Sequence, residues 1–255
     1  MTFPTTDDHF LAGRLRLLQP ARGHRVGTDA ALLQSAVAPA FAGEVADLGA
    51  GVGAVGLSVA VRAPLARVTL VEKDPAIAAL ARANVDRNAL SARVVVVEAD
   101  VTLAGAARIA VGLADRSVDL ILTNPPFHDA RRIRRSPDAY RAAAHGGGPA
   151  LLDAWLRSAA AMLRPGGDLV LIHRADALPA LLAGVAGRFG AVRVLPVLPR
   201  AGADATRVLL RATKGSRTPF RLLAPLILHG EGERFTALAE ALHAGQSDLV
   251  WDGVA

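Results

Sequence analysis

From Val45 onward, short runs of β-branched and aliphatic residues alternate with alanine- and leucine-rich stretches of helical period. That alternation predicts an α/β fold, a Rossmann-like parallel sheet joined by crossover helices. The candidate strands are 45–48, 68–72, 93–98, 118–123, 168–173, 192–198 and 206–212, enough for one seven-stranded, doubly wound sheet with helices on both faces. The clearest helix carries Leu151, Leu152, Trp155, Leu156, Ala159, Met162 and Leu163 at i, i+3, i+4 spacing, and Arg164-Pro165-Gly166-Gly167 stops it. Leu178, Leu181, Leu182, Val185 and Phe189 repeat the pattern before the sixth strand. Both stripes read as faces packed on the sheet.

The two ends follow other patterns. Residues 9–27 read as a short basic hairpin or arm, and Thr28 is placed to cap a helix running through about Val37. Residues 213–255 carry a basic turn at Lys214-Gly215-Ser216-Arg217, an apolar stretch from Leu222 to Leu228 and a weakly amphipathic tail. The expected division is an N-terminal arm and capping helix over 1–44 and one α/β domain over 45–255.

Composition narrows the chemistry. The chain has no cysteine, which removes disulfides, thiolate zinc sites, iron–sulfur clusters and a cysteine nucleophile together. Its seven histidines show no paired ligand spacing, so no metal is expected. No apolar run approaches the length of about 18 residues that spans a bilayer, and Pro4, Asp7 and Asp8 interrupt any leader-like start; a cytoplasmic protein without a membrane partner is the expectation. The formal charge of +6 suits a polyanionic partner such as nucleic acid.

The first strand ends in Asp47-Leu48-Gly49-Ala50-Gly51-Val52-Gly53, followed by a helix from about Ala54. Glycines there allow a tight strand-to-helix turn and let a ligand approach backbone N–H groups. Gly51, Gly53 and Gly56 also satisfy G-x-G-x-x-G with Glu72 further on, so a dinucleotide-dependent oxidoreductase competes at this point. The next strand ends bring Glu72, suited to two ribose hydroxyls, and Asp100, suited to an adenine amine.

The fourth strand ends in Asn124-Pro125-Pro126-Phe127. Two prolines make this turn rigid and leave its carbonyls free to accept. The Asn124 amide oxygen and the Pro125 carbonyl can together hold both hydrogens of a planar –NH₂ group, and Phe127 can stack on the ring that bears it. His145-Gly146-Gly147-Gly148 imitates an esterase oxyanion loop, yet no G-x-S-x-G elbow occurs, which excludes a hydrolase.

Together these residues resemble class I S-adenosylmethionine-dependent methyltransferases over about 45–215. The resemblance implies S-adenosyl-L-methionine as cofactor, held by Asp47, Gly49, Gly51, Gly53, Glu72, Asp100 and Asn124, with Thr28 and Asp29 bordering it. Asn-Pro-Pro-aromatic is similar to enzymes that methylate adenine N6, guanine N2 or a release-factor glutamine N5. Arg25-Val26-Gly27-Thr28-Asp29-Ala30-Ala31-Leu32-Leu33 and Arg211-Ala212-Thr213-Lys214-Gly215 resemble the bacterial family that methylates adenine N6 beside the anticodon of valine tRNA. That likeness implies a tRNA substrate and places Thr28 and Asp29 at the pocket. The segment after Phe127 departs from the family; its Arg131, Arg132, Arg134 and Arg135 suit phosphates flanking an extruded base.

Overall fold

The computed structural model describes residues 4–22, 25–126, 149–232 and 234–251. A nine-stranded sheet forms its centre. Its main strands are β3 (Gly43–Leu48), β4 (Ala66–Glu72), β5 (Val94–Glu98), β6 (Val118–Thr123), β7 (Leu163–Arg174), β8 (Phe189–Leu198) and β9 (Arg207–Lys214). Two short strands, β10 (Arg221–Leu222) and β11 (Leu226–Ile227), both lie on β8. The spatial order is β10-β8-β9-β7-β6-β3-β4-β5, with β3 central and its end flanked by those of β4 and β6.

The seven expected strands are all present, but the sheet is not wholly parallel. Strand β9 runs antiparallel to both β7 and β8. The connection 199–206 is too short for a crossover of a dozen or more residues, so β9 must return antiparallel. Pro165, Gly166 and Gly167, read as a helix stop, lie inside β7, where pairing with β6 shifts register between Val118 and Leu120. The apolar stretch 222–228 supplies β11 and the end of β10.

Helices α1 (Thr28–Gln34), α2 (Ala54–Arg62), α3 (Pro75–Arg87), α4 (Gly105–Ala110), α5 (Pro149–Met162), α6 (Leu178–Val185) and α7 (Ala237–His243) complete the described fold. One core joins Leu33, Leu57, Val85 and Leu242 of α1, α2, α3 and α7 to one sheet face. The other joins Trp155, Leu156, Ala159, Met162 and Leu181 of α5 and α6 to the opposite face. Strand periodicity divides the side chains accordingly: Leu120 and Leu122 enter the first core, Ile121 the second. Among the described residues no helix is long and apolar enough to cross a membrane.

The Thr28 cap is not formed. Gly27 takes the N-cap position without a side-chain bond, and α1 ends at Gln34. The Thr28 hydroxyl instead meets Nε2 of His243 at 3.2 Å, drawn to α7 rather than to its own helix.

The arm is a true hairpin, β1 (Thr5–Phe10) with β2 (Leu15–Pro20), starting earlier than the residues expected for it. Leu15 and Leu17 are fully buried, so β2 docks one face on the domain. Its outer edge is matched by side chains of α3. Leu18 N–H donates to Asn84 Oδ1 at 2.7 Å and its carbonyl accepts from Nδ2 at 2.9 Å. Arg16 makes the same pair with Asn88, at 3.0 and 2.8 Å. Asn84 Nδ2 also donates to the Val52 carbonyl at 3.0 Å, linking the hairpin to the turn after β3.

Candidate active site

A cavity of about 880 Å³ opens beyond the ends of β3, β4, β5 and β6, the position where open α/β sheets bind ligands. Its floor is the turn after β3. Gly49 and Gly51 have φ of +72° and +57°, a backbone region that glycine enters without strain. Nothing lies within 4 Å of where a Cβ on Gly51 would project, whereas one on Gly49 would approach the Trp155 ring at 2.9 Å. Gly53 does not line the cavity; it is the left-handed N-cap of α2, tucked beside Leu57 and Leu70.

Asp47 lines the cavity and is almost wholly buried. Its Oδ2 accepts from Gly56 N–H at 2.9 Å. Burial pushes the carboxyl up to about 7, with the neighbouring Glu72 charge adding to the rise and the Gly56 N–H opposing it. Asp47 therefore braces the first turn of α2 from inside.

Glu72 closes β4, where Oε2 accepts from Gly51 N–H at 3.0 Å and Oε1 from Asp74 N–H at 2.9 Å. A carboxylate has about four lone-pair sites, so each oxygen keeps capacity for a hydroxyl. Asp100, beyond β5, uses Oδ1 to accept from the Thr102 amide and hydroxyl at 2.8 and 2.7 Å. Partial burial raises its pKa, but the two Thr102 bonds and the Lys73 charge outweigh that and hold it below the usual value.

Asn124, Pro125 and Pro126 form the wall at the end of β6. Asn124 Oδ1 is buried and has no hydrogen-bond partner among the described residues. Since an unpaired buried acceptor is costly, this is the cavity-lining side-chain atom, among the described residues, that calls for a donor. Thr28 and Asp29 at the start of α1 also line the cavity. Asp29 is held by Arg207 Nε, at 3.2 and 3.1 Å from its two oxygens.

The fold thus gathers Thr28, Asp29, Asp47, Gly49, Gly51, Glu72, Asp100, Asn124, Pro125 and Pro126 around one cavity. Phe127 and the arginines at 131, 132, 134 and 135 lie outside the described residues. Sequence reasoning missed Gln19, Lys73, Trp155 and Arg207, which also line it. Trp155 carried a signal only as a core position on the α5 stripe.

A sheet with one reversed strand near its edge, a glycine turn after the central strand and acids on the next two strand ends define a class I S-adenosylmethionine-dependent methyltransferase. The family comparison agrees: residues 23–196 match the methyltransferase small domain, and the chain belongs to that family. It is 33% identical over 199 residues to a tRNA1(Val) (adenine(37)-N6)-methyltransferase of Porphyromonas gingivalis, covering 74% of this chain and 76% of that one. It is 32% identical over 137 residues to a release factor glutamine methyltransferase of Bifidobacterium longum, covering 51% of this chain and 47% of that one. Among solved structures, a predicted O-methyltransferase from Agrobacterium tumefaciens superposes with a TM-score of 0.74 at 37% identity, covering 87% of this chain and 98% of that one. Membership removes the oxidoreductase alternative. The relatives' names differ in the acceptor, so the cofactor half of the site is common ground and the acceptor half is not.

The residues present fit S-adenosylmethionine. Gly51 has an open face, Glu72 keeps spare lone pairs and Asp100 has a second carboxylate oxygen outside its Thr102 bonds, which is the chemistry that a ligand with ammonium, hydroxyl and amino groups requires.

Proposed function

We propose that this chain methylates N6 of an adenine in tRNA, in the anticodon loop as in tRNA1(Val). The observation that carries the reading is the buried Oδ1 of Asn124, without a partner among the described residues, on a turn of two prolines beside the cavity. An exocyclic purine amine is a weak nucleophile because its lone pair is delocalised into the ring. Asn124 Oδ1 and the Pro125 carbonyl, accepting one amine hydrogen each, favour the tetrahedral nitrogen that develops during attack. S-adenosylmethionine, when bound, supplies a methyl group on a sulfonium, which is a strong electrophile. Pro125 and Pro126 keep both acceptors in place, so orientation is set before the acceptor arrives. The methylated amine is acidic enough to lose its proton to water, and Asn124 does not need to take it.

In this reading Glu72 accepts from the cofactor ribose, Asp100 from its adenine amine, and Asp47 braces the first turn of α2 behind the glycine turn. Thr28 and Asp29 face the acceptor side, Phe127 stacks on the target base, and Arg131, Arg132, Arg134 and Arg135 hold flanking phosphates. The 33% identical tRNA relative supports the acceptor. A glutamine side-chain amide also presents a planar –NH₂, and the release-factor relative supports that second reading.

Incubation of the protein with labelled S-adenosylmethionine and unmodified total tRNA, then digestion and mass identification of the nucleoside, tests it. The expected product is N6-methyladenosine, and Asn124→Ala is expected to lower kcat by about a hundredfold or more, the scale of losing one transition-state hydrogen-bonding group, with little change in cofactor binding. Label confined to protein, or to a guanosine, overturns the adenine assignment.

A further inference from the structure

Trp155 Nε1 donates to Thr123 Oγ1 at 2.9 Å, and Thr123 Oγ1 donates to the Leu48 carbonyl at 2.7 Å. The proton order is unique, because an indole N–H only donates and a carbonyl only accepts. Leu48 and Thr123 form the last pair of the β3–β6 ladder. Beyond it one chain enters the Gly49 turn and the other enters Asn124. Leu48 and Thr123 are fully buried and Trp155 nearly so, so the bonds are sheltered from water. The same indole closes on Gly49, where a Cβ would come within 2.9 Å of Cζ2. One side chain of α5 therefore touches both sides of the cleft between cofactor turn and acceptor turn.

We infer that Thr123 and Trp155 are positioning residues that fix the distance between the Gly49 turn and Asn124. The inference rests on the role given to Asn124 above. In-line transfer is sensitive to displacements of about 1 Å, which can cost a hundredfold in rate. The backbone ladder ends at Leu48 and Thr123, and the hydroxyl tie extends that rung into the active site.

Thr123→Val keeps the side-chain shape and removes the hydroxyl; Thr123→Ser restores it. The expected result for Thr123→Val is a kcat about 10- to 100-fold lower, with KM for S-adenosylmethionine unchanged and activity recovered in Thr123→Ser. In crystals of the S-adenosylhomocysteine complexes, the Asn124 amide is expected to move relative to Gly49 by more than about 0.5 Å in Thr123→Val. Trp155→Phe retains an aromatic ring and loses the donor; it carries the test if Thr123→Val does not fold, with kcat at least about threefold lower at constant KM, the equivalent of one neutral hydrogen bond. Wild-type turnover in both variants, a KM that rises in step with the loss of kcat, or an unmoved Asn124 overturns the inference. Kinetics are read on whichever acceptor the wild type labels. A wild type that labels no tRNA defeats the acceptor assignment alone, while the displacement of Asn124 still decides this one.

Discussion

Asp47 combines two demands that oppose each other, an acceptor for Gly56 N–H and a charge without water. Because its folded pKa is raised, its contribution to stability is full at low pH and is lost as pH rises from about 4 to about 7. Asp47→Asn keeps an acceptor for Gly56 and never ionises. Urea unfolding of both proteins should therefore show the variant gaining on the wild type by about 1.4 kcal/mol per pH unit across that window, with no further gain above it. A constant difference across the window would rule out a raised Asp47. In the sequence Asp47 was legible as an acid beside a glycine turn. Its inward use was not, because burial depends on the whole strand–helix contact. The position of Asn124 on the cavity wall was easier to read, because the prolines that make its turn rigid are its immediate neighbours.

The docking of β2 on α3 shows how far local pattern reaches at the scale of elements. The period of Leu15 and Leu17 marks a strand with a buried face, but Asn84 and Asn88 look like ordinary polar positions of a helix. Their function exists only when strand and helix meet. Asn84→Leu leaves the Leu18 N–H and the carbonyls of Leu18 and Val52 without their amide, at about 1–3 kcal/mol for each group that water cannot reach. Hydrogen exchange should show faster exchange at Leu18 with β3 unchanged; unaltered protection at Leu18 would show that β1 alone holds the hairpin. The antiparallel course of β9 is another contextual result, set by the length of 199–206 rather than by any residue within β9. The α5 and α6 stripes needed no such context as far as Met162 and Val185, since a 3.6-residue period can bury only one face; Leu163 and Phe189, counted with them in the sequence, instead open β7 and β8.

For the molecule as a whole, strand alternation and the strand-end motifs were enough to read the seven main strands and the family, but not the reversal of β9 or the two short strands on β8. The closure of the tail was not legible, because it depends on one arginine among many. Arg62 of α2 is buried; its Nη1 donates to Gln34 O and Oε1, both at 2.8 Å, and to Val37 O at 3.2 Å, while Nη2 pairs with Asp248. Gln34 Nε2 donates to Leu242 O at 3.0 Å and Leu249 N–H to Ser35 O at 2.9 Å. Arg62→Leu removes the centre of this knot and is expected to cost about 1–3 kcal/mol for each carbonyl of Gln34 and Val37 left without a donor or water. Limited proteolysis should then cut within 237–251 before the sheet opens, and a tail as resistant as the wild type's would show that the knot is dispensable. The asparagine pair on α3 has a consequence at this scale as well. An unpaired strand margin invites a neighbouring copy to add its own strand, and here Asn84 and Asn88 already occupy the N–H and C=O groups of Arg16 and Leu18 that such a copy would need, so self-association through that margin is blocked by two amides.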